Sequence, residues 1–324
     1  MPTGISIHVG LNELNEKHYN GRFPLSGCLA DAQAMHDLAG DAGFEPRLIT
    51  GQAATTQAVK DAIAEACPRI GSDGMLLLTF SGHGSRVKDL AEHGRLVDRH
   101  DAGDGWDESW CLYDRQLVDD ELFACWADFP RGARILVVSD SCLSAGMIRS
   151  GARAPAMATA TATSSGSGAE SESPGPELNA GNPKPKWDPL ELEKGPAADV
   201  KAAPVTRSLG PRRRALAPAA SRRVYFRNFS MYDNVQRDIH KHPPRPVKAD
   251  VMLLAASEDN QAARDGERNG AFTAALLEVW NGGKFQGDYR VLHDQIRQRL
   301  LGVQTPRLLA LRKPAFADQR PFTI

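Results

Sequence analysis

The stretch ILVVSDSCLSAG, residues 135–146, runs four apolar residues into Ser139-Asp140-Ser141 and then presents Cys142. A consecutive apolar run suits a central strand covered on both faces, not a strand with one wet side. MLLLTF (75–80) has the same character and also ends in small polar residues, SGHG (81–84). In an open α/β sheet the chemistry gathers at the carboxyl ends of the strands, where loops emerge over a crevice. Two such strands would deliver His83 and Cys142 to the same edge.

Working outward, the first half alternates short β-rich runs with helical patterns. ISIHVGL (5–11) precedes a helix over about 28–41, and RLIT (47–50) precedes a helix over about 55–66. A Gly- and Asp-rich loop over 101–122 is expected to lead into a short helix near 118–126. Late in the chain, DVMLLAAS (250–257) reads as a third buried strand. NGAFTAALLEVW (269–280) and YRVLHDQIRQRLL (289–301) read as helices, and RLLAL (307–311) as a closing strand. Together they predict an α/β fold with a mostly parallel sheet and crossover helices.

The pattern breaks near residue 151, where small residues, Pro and Gly replace any hydrophobic period. The expected organisation is therefore one half over 1–150, a low-complexity insertion over 151–222, and a second half of the same domain over 223–324. Within 201–230 stand eight basic residues and no acid, the one strong local charge run. It reads either as a cleavable linker or as a basic arm for nucleic acid or anionic lipid.

Elsewhere the charge is balanced: 39 Lys and Arg against 40 Asp and Glu in 324 residues, a formal net charge of -1. No global field argues for nucleic acid or a membrane surface as partner. Five widely spaced cysteines without a CxxC pair argue against both a disulfide framework and a structural zinc. With no long apolar run, a cytoplasmic location is expected.

A cysteine reacts as its thiolate, and a free thiol with pKa near about 8.5 needs a neighbouring imidazole or a field of N–H groups. Of nine histidines only His83 sits in a Gly-rich turn after an apolar strand. Read separately, each residue has a plainer role, Cys142 as a small core residue and His83 as a turn residue. It is the pairing of the two strand ends that favours chemistry.

SGHG followed by DSC closely resembles the catalytic motifs of the metacaspases and their prokaryotic relatives, in the caspase-like superfamily of cysteine peptidases. The likeness extends to SGCLADAQAMHDLAGDAGF (26–44), DGWDESWCLYD (104–114), LVDDEL (117–122) and LLAASEDNQAARDGERNGAFTAALLEVW (253–280). It implies a caspase-like three-layer αβα sandwich with a mostly parallel central sheet. It also implies that His83 acts as general base and acid, Cys142 as nucleophile, and the N–H groups of Gly84 and Cys142 as the oxyanion hole. No third member orienting the imidazole is evident. A catalytically silent or scaffolding protein of the same fold is the alternative, and it must explain why both His83 and Cys142 are present.

Specificity turns on acids. Asp140, two residues before Cys142 on an extended segment, faces the same side as the thiol, and Asp31 lies three residues after Cys28 on the first helix. The matching family positions, here Cys28, Asp31, Ser81 and Asp140, line the pocket for the residue before the scissile bond. The implied substrates are proteins or peptides cut after Arg or Lys. An enzyme of that preference would find candidate processing sites in its own basic run, at Arg207, Arg214 and Arg223; an upstream protease is the other route to activation. No cofactor is needed for the chemistry. Many metacaspases are calcium-activated through an aspartate pair matching Asp119 and Asp120, and these would be the metal ligands, although solvated loop acids read the same way. Metacaspases also tend to be monomers, which sets the expected state of this chain.

Overall fold

The computed structural model describes residues 3–88, 106–142, 187–189, 212–241, 245–258, 261–311 and 314–324. Its strands are β1 (Gly4–Gly10), β2 (Glu45–Thr50), β3 (Met75–Ser81), β4 (Gly84–Lys88), β5 (Trp106–Cys111), β6 (Gln116–Val118), β7 (Arg134–Asp140), β8 (Trp187–Pro189), β9 (Asp250–Ala255) and β10 (Arg307–Leu311). Its helices are α1 (Glu16–Tyr19), α2 (Cys28–Asp41), α3 (Thr56–Ala66), α4 (Asp119–Trp126), α5 (Pro218–Arg227), α6 (Phe229–Lys241), α7 (Ala271–Trp280) and α8 (Tyr289–Arg299).

Seven strands form one sheet in the order β2-β1-β3-β7-β9-β10-β8. The pairs among β2, β1, β3, β7 and β9 are parallel, and β10 runs antiparallel to both β9 and β8. The apolar runs are continuous because each feeds two faces in alternation. On β3, Leu76, Leu78 and Phe80 join one core with α3, α4 and α5, while Met75 and Leu77 join the other with α2, α7 and α8. The result is the three-layer α/β architecture expected from the sequence.

Two expectations need correction. The Gly- and Asp-rich stretch is a loop only in part: within it β5 and β6 pair with β4 into a second, antiparallel sheet. Glu108 and Asp107 on β5 are both buried, so the acids that suggested a solvated loop lie along a strand. The boundary at residue 222 falls inside α5, and the described residues resume at 212. Leu216, Ala220, Val224, Tyr225 and Tyr232 all reach the core shared with α3 and α4. Dense Arg residues between these positions hide their helical period in the sequence. Of the insertion itself, Trp187–Pro189 forms the edge strand, and Arg207 lies outside the described residues.

Register places the site. β3 pairs with β7 so that Ser81 lies opposite Asp140, with His83 two residues past the one and Cys142 two residues past the other. Gly84 then enters β4 so close to the neighbouring chain that an added Cβ would stand 1.9 Å from the Cys142 carbonyl oxygen. Only glycine allows that approach.

Candidate active site

At this edge Cys142 and His83 are both buried, at 2% and 6% exposure. The Cys142 Sγ accepts from the Ala263 N–H at 2.8 Å, and burial pushes the thiol up to about 12 despite that bond. The His83 Nε2 bonds the Phe23 carbonyl oxygen at 2.8 Å. With that oxygen as acceptor, Nε2 carries the proton and Nδ1 is the basic nitrogen. Burial lowers the imidazole to about 4, the Phe23 bond opposing it in part, so His83 is neutral at ordinary pH. Phe23 supplies the orienting group that the sequence did not reveal. It does so with a backbone φ of 47°, a left-handed conformation uncommon for a bulky residue.

The cleft is crossed by a segment of the chain itself, residues 212–216. Arg214 N–H donates to the Ala263 carbonyl at 3.0 Å, Asp265 N–H to the Arg212 carbonyl at 2.9 Å, and Leu216 N–H to the Gly84 carbonyl at 3.0 Å. These bonds hold it as an added strand between β4 and the 263–265 segment. The Arg214 carbonyl oxygen receives two N–H groups, Gly84 at 3.0 Å and Cys142 at 3.1 Å. They are the two donors that the sequence assigned to an oxyanion hole.

The Arg214 side chain is completely buried. Its Nη1 reaches Asp140 Oδ2 at 2.9 Å, the Asp140 carbonyl at 3.1 Å and Ser81 Oγ at 2.8 Å. Its Nη2 reaches Asp31 Oδ2 at 2.7 Å and Asp265 Oδ1 at 2.9 Å. Cys28 lies close enough to couple to this guanidinium, and burial pushes its thiol up to about 12. Thus Cys28, Asp31, Ser81 and Asp140 do converge. Sequence reasoning missed Asp265, Thr273, Asn269 and Gly270, all from the segment after β9.

Local chemistry explains why carboxylates can be buried here. Asp140 Oδ2 accepts from Thr273 N–H at 3.1 Å and Thr273 Oγ1 at 2.7 Å, capping the first turn of α7. Asp31 Oδ1 accepts from Gly270 N–H at 3.0 Å and Asn269 Nδ2 at 2.9 Å. The start of α2 has no cap of its own; Asn12 Oδ1 accepts from Cys28 N–H at 3.0 Å, and Asp265 Oδ2 from Ser26 N–H at 2.7 Å. Gly270 forms a wall: a Cβ there would stand 2.5 Å from Arg214 Nη1. Asp140 is nonetheless raised to about 6, because burial and the neighbouring Asp31 outweigh the attraction of Arg214.

Away from this pocket, Asp107, Asp119 and Asp120 gather with ligand atoms within 4.8 Å of one another, all buried. Gln236 of α6 donates to Asp107 Oδ2 at 3.2 Å. Of the other processing candidates, Arg223 sits exposed within α5, where the backbone is helical and cannot lie extended in a cleft. Among the described residues no helix is long and apolar enough to cross a membrane.

Metacaspase-4 of Arabidopsis thaliana is 31% identical over 154 residues, covering 44% of this chain and 34% of that protein. Metacaspase-7 of the same plant is 31% identical over 134 residues, covering 38% of this chain and 32% of that protein. The matches thus span about a third of the length of these curated relatives. The crystal structure of protein GSU0716 from Geobacter sulfurreducens superposes with a TM-score of 0.71 at 31% identity, over 100% of this chain and 99% of that one. The caspase domain family matches residues 14–316, nearly the whole chain, so the chain belongs to the caspase-domain family of cysteine peptidases.

Proposed function

We propose that this chain is an endopeptidase that cuts after Arg or Lys, with Cys142 as nucleophile and His83 as base and then acid, and that its own Arg214–Ala215 bond is one of its substrates. The observation that carries the reading is Arg214 itself: its side chain sits among three carboxylates while its carbonyl oxygen accepts from Gly84 and Cys142 N–H. A scissile residue needs both contacts at once.

In the step that follows, Sγ leaves Ala263, gives its proton to His83 Nδ1 and bonds the Arg214 carbonyl carbon. The negative oxygen rests on the two N–H groups. Collapse breaks the bond to the Ala215 nitrogen, which takes the proton from His83 and departs as an amine. Water, deprotonated by His83, then attacks the thioester, releasing the Arg214 carboxylate and restoring the thiol. With the Cys142 thiol and the His83 imidazole both kept neutral by burial, the intact chain is a resting form, and departure of the 212–214 segment would open the pocket to other proteins.

Intact mass and N-terminal analysis of the purified chain test this. The expected products end at Arg214 and begin at Ala215, and Cys142→Ala gives none of them. A chain that stays whole with Cys142 in place overturns self-cleavage. Cleavage of Cys142→Ala by added active enzyme, or by a different protease, would move the activating cut to a second molecule.

Calcium is the cation we propose for the second cluster. Asp107, Asp119 and Asp120 offer three hard oxygen donors in one buried group, the chemistry calcium favours. Bound there, the ion would supply positive charge between β5 and the start of α4. Through Gln236 that charge would bear on α6, in the helical segment that follows the scissile bond.

A further inference from the structure

The pocket holds one acid more than a simple cation needs. Asp31 and Asp140 face the guanidinium's terminal nitrogens, where a lysine ammonium would also lie. Asp265 approaches from the side: its Oδ1 is 2.9 Å from Arg214 Nη2 and 3.3 Å from Nε. Nε is an atom position where lysine has a methylene and no donor. We propose that Asp265 is the residue that makes this pocket select arginine over lysine, an assignment that rests on the basic specificity proposed above.

Asp265 is fixed in that position. Its Oδ2 accepts from Ser26 N–H at 2.7 Å, and its Oδ1 from Gly27 N–H at 3.1 Å. Both donors stand at the start of α2, whose positive end favours a carboxylate. The side chain is 3% exposed, and its own N–H grips the Arg212 carbonyl two residues before the scissile position. A carboxylate pinned on backbone donors cannot swing after a shorter, differently placed ammonium. With lysine bound, buried Asp265 loses the donor it meets at the Nε position, a penalty that arginine avoids. Discrimination therefore comes as much from what lysine leaves unpaired as from what arginine gains.

The measurement is kcat/KM for a matched pair of peptides differing only in Arg or Lys before the scissile bond, for the natural chain and Asp265→Asn. The Arg-to-Lys ratio should fall about tenfold in the variant, the scale of one charge-assisted contact. A second readout uses the chain's own cut. Arg214→Lys should slow release of the Ala215 fragment about tenfold when Asp265 is present and less than about threefold in the Asp265→Asn background. Each ratio is taken within one background, so a general loss of stability cancels. An unchanged ratio, with both peptides still cut, overturns the role of Asp265 alone. A natural chain that cuts neither basic peptide but cuts after another residue overturns the basic specificity and the role of Asp265 with it.

Discussion

Two groups of three aspartates lie in this fold. Asp31, Asp140 and Asp265 come from α2, β7 and the segment after β9, and close around the guanidinium of Arg214. Asp107, Asp119 and Asp120 come from β5 and the start of α4, and their ligand atoms lie within 4.8 Å of one another. In sequence the second group looks the more specialised, being dense and near glycines, while the first is scattered over more than 230 positions. The difference is how each group is built. In the first, Arg214 offsets the burial of like charges. The second offers three hard oxygen donors in one buried group. The first is thus a pocket for a side chain, the second a candidate seat for an ion.

The sharpest way to break this contrast is to remove a pocket acid. Asp31→Asn or Asp140→Asn leaves shape and most hydrogen bonds but deletes a charge in direct contact with the guanidinium. Losing one buried charge-assisted partner costs about 3–5 kcal/mol. Hydrolysis of an Arg peptide should fall by a factor on the order of a thousand, as kcat/KM, while Asp119→Asn falls far less at saturating calcium. Equal losses at the two clusters would erase the distinction between them.

The strands that carry the site were legible because central parallel strands are apolar on consecutive residues: 75–80, 134–140 and 250–257 all contain sheet strands, and RLLAL is β10. Cys28, Asp31, Ser81 and Asp140 were legible through the motif likeness. Asp265 was not, because it lies in an irregular segment without periodicity, and an acid there looks like any solvated loop residue. The signal that marks it is topological: the segment emerging from β9 delivers its acids to the same edge as Cys142. The Phe23 carbonyl was beyond sequence, since a backbone oxygen has no residue type to betray it. The hidden elements α5 and α6 show the limit of composition: one face of each is buried, but polar and charged residues dominate the count, Arg222, Arg223 and Arg227 on α5 and Asp233, Arg237, Asp238 and Lys241 on α6.

The second cluster sharpens the comparison by a moderate effect. Activity of the natural chain should rise at least several-fold between excess chelator and millimolar calcium, and Asp119→Asn with Asp120→Asn should lose that response. The contrast in the Arg-to-Lys ratio should remain, because specificity belongs to the other cluster. Rates equal with chelator and with calcium would return Asp107, Asp119 and Asp120 to a purely structural role.

The smallest effect concerns the charge left over even in the filled pocket. Three carboxyl groups surround one guanidinium, and burial raises Asp140 to about 6. Its folded-state value lies above the unfolded one of about 3.9, so between those values the native chain binds more protons than the unfolded chain. Stability must then fall as pH rises from about 4 to about 6 through this group. The opposite sign would hold for a carboxylate whose partner outweighed its burial. Thermal melts of Cys142→Ala, which keeps Arg214 in place, should carry this decline, on the order of 1–3 kcal/mol, and Cys142→Ala with Asp140→Asn should lack it. If instead the decline is absent from the first and stability climbs with pH, Arg214 fully compensates the pocket, and the two clusters differ in their excess charge as well as in their occupant.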